Sequence, residues 1–423
     1  MSNPTKNSYL QDVSTLSFGT LISQLIPLIL SPYLARVFTP EDFGIFGIFF
    51  AFTAVFGVSA AAKYDIATLI PRKDKHAVNL AIIALFFCFL TSLLLTIFLI
   101  LYEYFDINNT IINNSYYLWI IGLPTAVLFT GIFNVLNYLN TRFENYNDIA
   151  KAKIYKSAAL SFSQVFFGTY SFGVLGLCLG LIISNIFANF KLAKNIFINE
   201  IYSNTISLNK IKELTYEYRI YPLSVNPSSF VNSITTYMPL FFIIKISGEA
   251  ISGYFFFATR LISIPSALIG KAISQVFFQK ISSLKANKKK CKPIFFQTVK
   301  SLILIALPFT LIIFLFAPVI FELIFGPQWI EAGVIAKYLG LIFFIQFITS
   351  TVSNVLSIKE FVYRDVAWKM LYFFTTLVFY ISVLAFQINF YTFIKLFVVH
   401  QYVLYSIYMF LIVWSIDEID KEF

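Results

Sequence analysis

Charged residues are scarce in this chain, and carboxylates are nearly missing from its apolar segments. Only 12% of the 423 residues are charged, against roughly 25% in a soluble domain. Hydrophobic residues make up 58%, and the mean hydropathy is +0.78. This composition excludes a soluble protein and indicates an integral membrane protein. The apolar segments are long and continuous and do not alternate with a period of two, which excludes a transmembrane β-barrel.

Other features that are missing exclude further classes of protein. Three cysteines give no disulfide framework. His76 and His400 have no cysteine or carboxylate at ligand spacing, so we expect no metal and no cofactor. Nucleotide-binding motifs and nucleophile constellations are also missing, so we expect no catalytic activity. The net charge of +10 is spread over short loops, which argues against a nucleic-acid partner.

The apolar segments have the length of membrane-spanning helices. A helix needs about 20 mostly apolar residues to cross a bilayer. The fold class that follows is an all-α integral membrane protein with about twelve transmembrane helices. The predicted spans are roughly 13–35, 43–66, 78–101, 116–139, 150–169, 172–192, 219–244, 251–278, 294–317, 332–356, 367–387 and 390–415.

One long connection, residues 192–218, divides the chain into two predicted lobes of six spans each, 1–191 and 219–423. Within it, residues 208–218 have the pattern of an amphipathic helix that lies on the inner membrane surface. Basic residues cluster in alternate loops, which predicts that both termini are cytoplasmic. These basic clusters lie around Lys6 and at 72–75, 142–156, 191–219, 280–292 and 359–369.

The two lobes show a weak internal repeat. In the first lobe Arg36 precedes Gly44 by eight residues, and Lys63 follows Arg36 by 27 residues. In the second lobe Lys245 precedes Gly253 by eight residues, and Lys271 follows Lys245 by 26 residues. Six spans in each lobe give the two repeats one orientation, and parallel repeats of this kind place a transport site between the lobes.

Arg260 is the strongest candidate for a site residue. A guanidinium near the bilayer midplane costs at least ~2.5 kcal/mol, so it is expected to face water, a partner or a substrate. On a regular helix Lys271, eleven residues on, lies only about 20° away on the same face. Pro265 between them predicts a kink. A guanidinium suits bidentate binding of anionic oxygens, so the chain is predicted to pass an anion.

Other charges in or beside the apolar spans extend this predicted cationic path. Lys63 and Lys271 are expected near the cytoplasmic interface, as an inner rim or as side chains that snorkel to headgroups. Lys337 and Lys395 lie in the outer thirds of their spans. Asp65 is a possible gate or ion-coupling group. On a regular helix it cannot face Lys63 directly, because residues two positions apart point in different directions. Arg36 is either part of the site, a headgroup anchor, or a cap with Glu41 or Asp42.

One segment resembles a family signature. The stretch Ala61-Ala-Lys63-Tyr64-Asp65-Ile66-Ala67-Thr-Leu-Ile-Pro71-Arg-Lys-Asp74-Lys-His-Ala77 is similar to the pattern (R/K)-Y-E-x-A-I-x-x-P-x-x-D-x-x-A of polysaccharide transporters. Residues 34–44 resemble the preceding loop of the same family, the O-antigen and capsule flippases of the Wzx type. One departure is Asp65, where the family usually has Glu.

The resemblance implies a carrier for undecaprenyl-diphosphate-linked oligosaccharide in the bacterial cytoplasmic membrane. It further implies two six-helix lobes around a central cationic cavity that opens to each side in turn. Membrane lipids, a polysaccharide polymerase and a chain-length regulator are the expected partners. A lipid II flippase, a polymerase or glycosyltransferase, and an exporter of cationic drugs remain alternatives. The last would need carboxylates in mid-membrane.

Overall fold

The computed structural model describes residues 6–105, 118–198, 207–358 and 360–421. These residues form fourteen α-helices and no β-strand. The helices are α1 Lys6–Val37, α2 Pro40–Ser59, α3 Tyr64–Ala67, α4 Asp74–Phe105, α5 Leu123–Arg142, α6 Tyr146–Thr169, α7 Val174–Ile198, α8 Leu208–Glu217, α9 Asn226–Ile262, α10 Lys271–Ala286, α11 Lys292–Phe325, α12 Ile330–Val352, α13 Val362–Ala385 and α14 Phe390–Lys421.

The predicted fold class is confirmed, and the chain is a multi-pass membrane protein. Ten helical segments in the described part of the chain are long and apolar enough to cross a membrane. The segments that contain α4 and α11 are the most apolar and expose large hydrophobic side chains such as Phe98 and Leu323. The predicted fifth span, which coincides with α6, falls outside these ten. With its three lysines near the start, it is too polar to qualify.

The predicted seventh and eighth spans are joined in the structure. We predicted separate spans at 219–244 and 251–278, and Asn226–Ile262, named α9 here, consists of two helices that meet at a kink between these spans. The break is a single residue, Gly248, with φ 81° and ψ −175°. Only glycine adopts this backbone conformation without a steric penalty. The first predicted span is therefore the arm before Gly248, and the second begins in the arm after it and continues through the turn Ser266–Gly270 into α10. Counted as two spans, they raise the ten segments to eleven, and α6 is the twelfth helix of spanning length.

The first compact unit covers Met1–Met238. In it α6 packs against both α1 and α7, while α5 contacts α2, α4 and α7. Small residues allow these close approaches. A Cβ atom on Gly131 would lie 2.7 Å from Cys88 Sγ and 2.8 Å from Ala60 Cβ. A Cβ on Gly180 would lie 2.6 Å from Gln164. Such small-residue contacts are typical of membrane helix packing.

The second compact unit covers Pro239–Phe423. Its α11 and α12 pack tightly, and α14 contacts α11, α12 and α13. An aromatic cluster fixes the ends of these helices: the ring of Phe257 lies 4.3 Å from Trp329 and 5.0 Å from Phe325 between centroids. At another edge of the unit the buried Arg364 donates two hydrogen bonds to Glu418, at 2.7 and 2.8 Å.

The predicted amphipathic helix is present as α8, Leu208–Glu217. Leu214 is buried on one face, while Lys212 and Tyr216 are exposed on the other. Residues 199–206 of the predicted connection, and Lys359 of a predicted basic loop, lie outside the described residues. The predicted lobe boundaries, 1–191 and 219–423, remain a prediction.

Gly333→Ala tests the contact between α11 and α12. A Cβ at this position would lie 2.6 Å from Pro318 Cα and 2.7 Å from the Ala317 carbonyl oxygen. The backbone has to move, and overpacking of this kind costs roughly 1–3 kcal/mol. We expect a lower unfolding temperature in detergent. The control is Gly122→Ala, whose nearest contact would be an ordinary 3.5 Å. Equal melting temperatures for both variants would contradict the predicted overlap.

Candidate functional site

The signature segment is not part of a continuous span. We predicted helix through residues 43–66, but α2 ends at Ser59 and the four-residue α3 begins at Tyr64. Between them Ala62 and Lys63 have positive φ values of 48° and 63°. Such a conformation costs a non-glycine residue about 1–3 kcal/mol and is held only where its surroundings impose it. Lys63 is therefore placed by a strained turn instead of by a helix.

Arg142, at the end of α5, holds the far end of this segment. Its guanidinium donates to the Leu69 carbonyl at 3.1 Å and to the Arg72 carbonyl at 3.3 Å. It also pairs with Asp74 at 3.0 Å. From the sequence we had interpreted Arg142 only as a topology residue. Because its partners lie about seventy positions away in the chain, no local pattern indicates this role.

Two further contacts hold the near end of the segment. Thr91 Oγ1 in α4 donates to the Ala60 carbonyl at 3.1 Å. The Tyr64 hydroxyl donates to the Thr215 carbonyl in α8 at 3.0 Å, and its ring stacks on Phe87. The signature segment is thus joined to the amphipathic helix α8 by its own tyrosine.

Lys63 and Asp65 are both buried, with 7% and 2% of their surface exposed. They lie between the candidate spans Pro40–Ser59 and Asp74–Phe105. The helical premise for keeping them apart does not apply, because Lys63 is not helical. Among the described residues the two side chains nevertheless form no ion pair within 4.0 Å. Burial lowers the pKa of Lys63, and the Asp65 charge opposes that shift. Burial raises the pKa of Asp65, and the Lys63 charge and the Ile66 N–H oppose it.

Asp65 has unused hydrogen-bonding capacity. Its Oδ1 is buried and accepts no hydrogen bond from any residue that the structure describes. A buried, incompletely bonded carboxylate is costly when ionised. This property is expected of a group that takes up a proton, a cation or a new partner during a functional cycle. Asp65 as a gate or coupling group stays a prediction.

Arg260 lies in the second arm of α9, among the buried Phe257 and Ala258 and the exposed Thr259. Its side chain is partly exposed. Within the described ranges, no carboxylate lies within 4.0 Å of the guanidinium. By contrast Arg142 and Arg364 each pair with an acid. Arg260 is thus an arginine in an apolar helix with capacity to bind an external anion.

The argument that placed Lys271 on the same face as Arg260 was wrong in its geometry. The helix is not regular between them: α9 ends at Ile262, and a π-helical turn covers Ser266–Gly270. This wider turn changes the angular spacing, so eleven residues no longer return to one face. Lys271 begins α10 and is exposed. Its place in a shared anion path stays a prediction.

The remaining candidates differ in their surroundings. Lys337 is half-buried in α12, and its Nζ lies 5.4 Å from the Phe314 ring centre. Lys395 and Arg36 are exposed. A cap between Arg36 and Asp42 was one of the alternatives for Arg36. The Asp42 carboxylate instead accepts from the N–H of Thr39, the residue that caps α2, at 3.0 Å. The roles of these residues in binding remain predictions.

Sequence reasoning missed the contacts of one further cation. Lys156 in α6 is partly buried, and its Nζ lies 4.0 Å from the Phe133 ring centre. One turn earlier, Lys153 donates to Thr20 Oγ1 in α1 at 3.2 Å. From the sequence we had interpreted these lysines only as polar residues at the start of the predicted fifth span. Their contacts with α1 and α5 instead place them inside the first unit.

Asp65→Asn tests the burial of the signature carboxylate. A raised pKa means that the folded protein holds the proton more tightly than the unfolded chain. The resulting stability is fully present below the unfolded pKa, about 3.9, and is lost as pH rises through the folded pKa. In melting experiments at increasing pH, we expect the variant to lose less stability than the wild type.

Lys63→Met provides the second arm of this test. It removes a charge that holds the pKa of Asp65 down, so the loss of stability should extend to higher pH than in the wild type. If all three proteins show the same dependence on pH, Asp65 does not titrate as a buried group.

Comparisons with known proteins agree with this architecture. Residues 33–334 match the model of a family described as polysaccharide biosynthesis protein. No curated protein matches the sequence.

Several solved structures have the same fold. An outward-facing multidrug resistance MATE family transporter of the MOP superfamily is 17% identical, with a TM-score of 0.61 over 96% of both chains. An inward-facing structure of such a transporter is 19% identical, with a TM-score of 0.59 over 96% of this chain and 95% of that one. A MOP superfamily transporter from Pyrococcus furiosus Vc1 (DSM3638), described by the reverse polarity of its binding pocket, is 18% identical, with a TM-score of 0.59 over 96% of both chains.

The family match covers well over half of the chain, and the structural matches cover nearly all of it. At these identities the structural matches establish the fold alone. The family and the fold agree with the resemblance to Wzx-type polysaccharide flippases. The chain belongs to the polysaccharide biosynthesis protein family and has the fold of MOP superfamily transporters.

Proposed function

We propose that this protein flips undecaprenyl-diphosphate-linked oligosaccharide, an O-antigen or capsule repeat unit, from the inner to the outer leaflet of the bacterial cytoplasmic membrane. The family match and the transporter fold support a carrier that acts in polysaccharide biosynthesis. In this proposal the carrier works by alternating access along a cationic path, both termini are cytoplasmic, and a polymerase uses the flipped lipid.

The observation that carries the proposal is Arg260. It is a permanent cation in an apolar helix, and no carboxylate of the described residues neutralises it. A guanidinium presents a planar fork of donors that fits the oxygens of a diphosphate. In a partly dry environment this interaction is stronger than in water. The lipid diphosphate is the group that all substrates of such a flippase share, so one arginine serves many glycans.

The charge balance of the helices also favours an anionic substrate over a cationic drug. Lys337 in the apolar helix α12 and Lys156 in the more polar α6 are further cations, and each lies over an aromatic ring. Binding of a cationic drug would require carboxylates in mid-membrane. The polarity of the pocket differs among proteins of this fold, as the description of the Pyrococcus furiosus transporter indicates.

The signature segment supplies the second part of the proposal. In our proposal Lys63 meets the lipid diphosphate at the inner rim, and Asp65 holds Lys63 when no substrate is present. A diphosphate that replaces Asp65 as the partner of Lys63 would free the carboxylate to take up a proton. The binding step and the conformational change would then be linked through two buried charges, Lys63 and Asp65.

Arg260→Ala tests the assigned role. In cells that depend on this protein for their surface polysaccharide, we expect the variant to lose at least nine-tenths of the surface glycan at equal protein levels. This corresponds to about 1.4 kcal/mol of binding free energy, within the range for a charged hydrogen bond. Arg260→Lys should restore part of the activity, because it keeps the charge but not the bidentate geometry.

Lys245→Ala is the matched control. It removes one cation from the same helix, at an exposed position in the other arm of α9. We expect near-normal surface glycan for this variant. Normal surface glycan in Arg260→Ala would overturn the role of Arg260, and an equal loss in both variants would show that the effect is one of general charge.

A further inference from the structure

The turn between α10 and α11 is the most strongly charged surface of the described chain. Six lysines and no carboxylate lie within residues 280–292. The six are Lys280, Lys285, Lys288, Lys289, Lys290 and Lys292.

Two of these lysines are neutralised by acids from outside this segment, and four are not. Lys285 pairs with Glu360 at 2.9 Å, and Lys292 pairs with Asp417 at 3.0 Å. The other four are exposed and form no ion pair with any described residue. The turn therefore presents four unneutralised positive charges, three of them consecutive.

The backbone of this turn is fixed by hydrogen bonds. At the end of α10, the Asn287 side chain donates to the Ser283 carbonyl at 2.8 Å, and the Lys289 N–H donates to the Leu284 carbonyl at 2.9 Å. Lys288 between them has a φ of 52°. The lysine backbone is thus ordered before any ligand binds, which lowers the entropic cost of binding.

The end of α14 fixes the other side of the turn. The Asp420 carboxylate accepts from the N–H of Cys291 at 2.6 Å and from that of Lys292 at 3.0 Å. N–H groups at the start of a helix have no carbonyl partner within the helix, and a carboxylate is favourable there. Because Asp420 already occupies this helix terminus, an anion that binds the turn is expected to contact the lysine side chains.

The turn directly precedes a candidate membrane span. The candidate span Lys292–Phe325 begins directly after the lysines. Within the first turns of α11 the Phe296 side chain is 56% exposed, and Val276 in α10 is 65% exposed. Exposed apolar side chains next to lysines are typical of a surface that meets lipid tails below and headgroups above.

We propose that Lys288, Lys289 and Lys290 form a binding surface for anionic lipid headgroups. Clusters of four or more basic residues beside a transmembrane helix bind such lipids. The position at a span end favours lipid over nucleic acid, because the headgroup phosphates lie at that level. The proposal is independent of the transported substrate. It concerns the resident lipids around the second unit.

The test uses the full-length protein, purified in an uncharged detergent. Palmitoyl-oleoyl phosphatidylglycerol or palmitoyl-oleoyl phosphatidylcholine is titrated in, bound lipid is counted by native mass spectrometry, and amide hydrogen exchange is measured over residues 284–291. Each lysine near an anionic surface contributes about a fivefold gain in affinity. We expect phosphatidylglycerol to bind at least tenfold more tightly than phosphatidylcholine and to slow exchange in the turn.

Two triple variants separate a local site from general charge. Lys288→Gln/Lys289→Gln/Lys290→Gln should lose most of this preference, while the corresponding Arg variant should keep it. The matched control, Arg72→Gln/Lys73→Gln/Lys75→Gln, removes three exposed cations at the start of α4 and should leave the protection of residues 284–291 by phosphatidylglycerol at the wild-type level. The proposal is overturned if the two lipids bind equally, if the Gln variant binds like the wild type, or if the control loses as much. It is also overturned if a short duplex DNA protects the turn and phosphatidylglycerol does not.

Discussion

The hydrocarbon core of a bilayer offers no hydrogen bonds to a polypeptide, so backbone N–H and C=O groups have to be satisfied within the protein. Long α-helices meet this requirement, and they account for nearly all of the described chain. Because of this constraint, a place where the backbone is not α-helical needs a specific structural or functional reason. One is the turn at Ala62 and Lys63, another is Gly248, and a third is the π-helical turn before Lys271.

These irregular places coincide with the charges that the fold does not otherwise explain. Lys63 lies in one of them, and Arg260 and Lys271 flank another. Discontinuous helices are where transporters commonly form their binding sites, because the interrupted backbone and a nearby charge can both contact a polar ligand. Other cations have structural roles that the contacts define. Arg142 holds the signature segment, and Arg364 joins α13 to Glu418 of α14.

Sequence periodicity and length predicted the helices well, because apolar runs of about 20 residues have one common structural explanation. The amphipathic helix α8 was also predictable from its pattern of lysine, glutamate and leucine. The end of α2 was not, since Ala60, Ala61 and Ala62 continue the apolar run without glycine or proline. The angular argument for Lys271 failed at the π-helical turn Ser266–Gly270: Pro265, directly before it, predicted a kink but not the change in angular spacing. Contacts such as Arg142 with Leu69 depend on tertiary packing, which a single sequence does not encode locally.

The central claim is that the transported species is a lipid diphosphate. Its most direct measurement is flipping by the purified protein in liposomes, with fluorescent undecaprenyl-diphosphate-linked oligosaccharide as substrate and a membrane-impermeant quencher outside. We predict that the protein brings the labelled lipid to the outer leaflet faster than protein-free liposomes do, and that the corresponding neutral undecaprenol-linked oligosaccharide moves much more slowly. Equal rates for the two lipids, or no flipping of the diphosphate, would contradict the account.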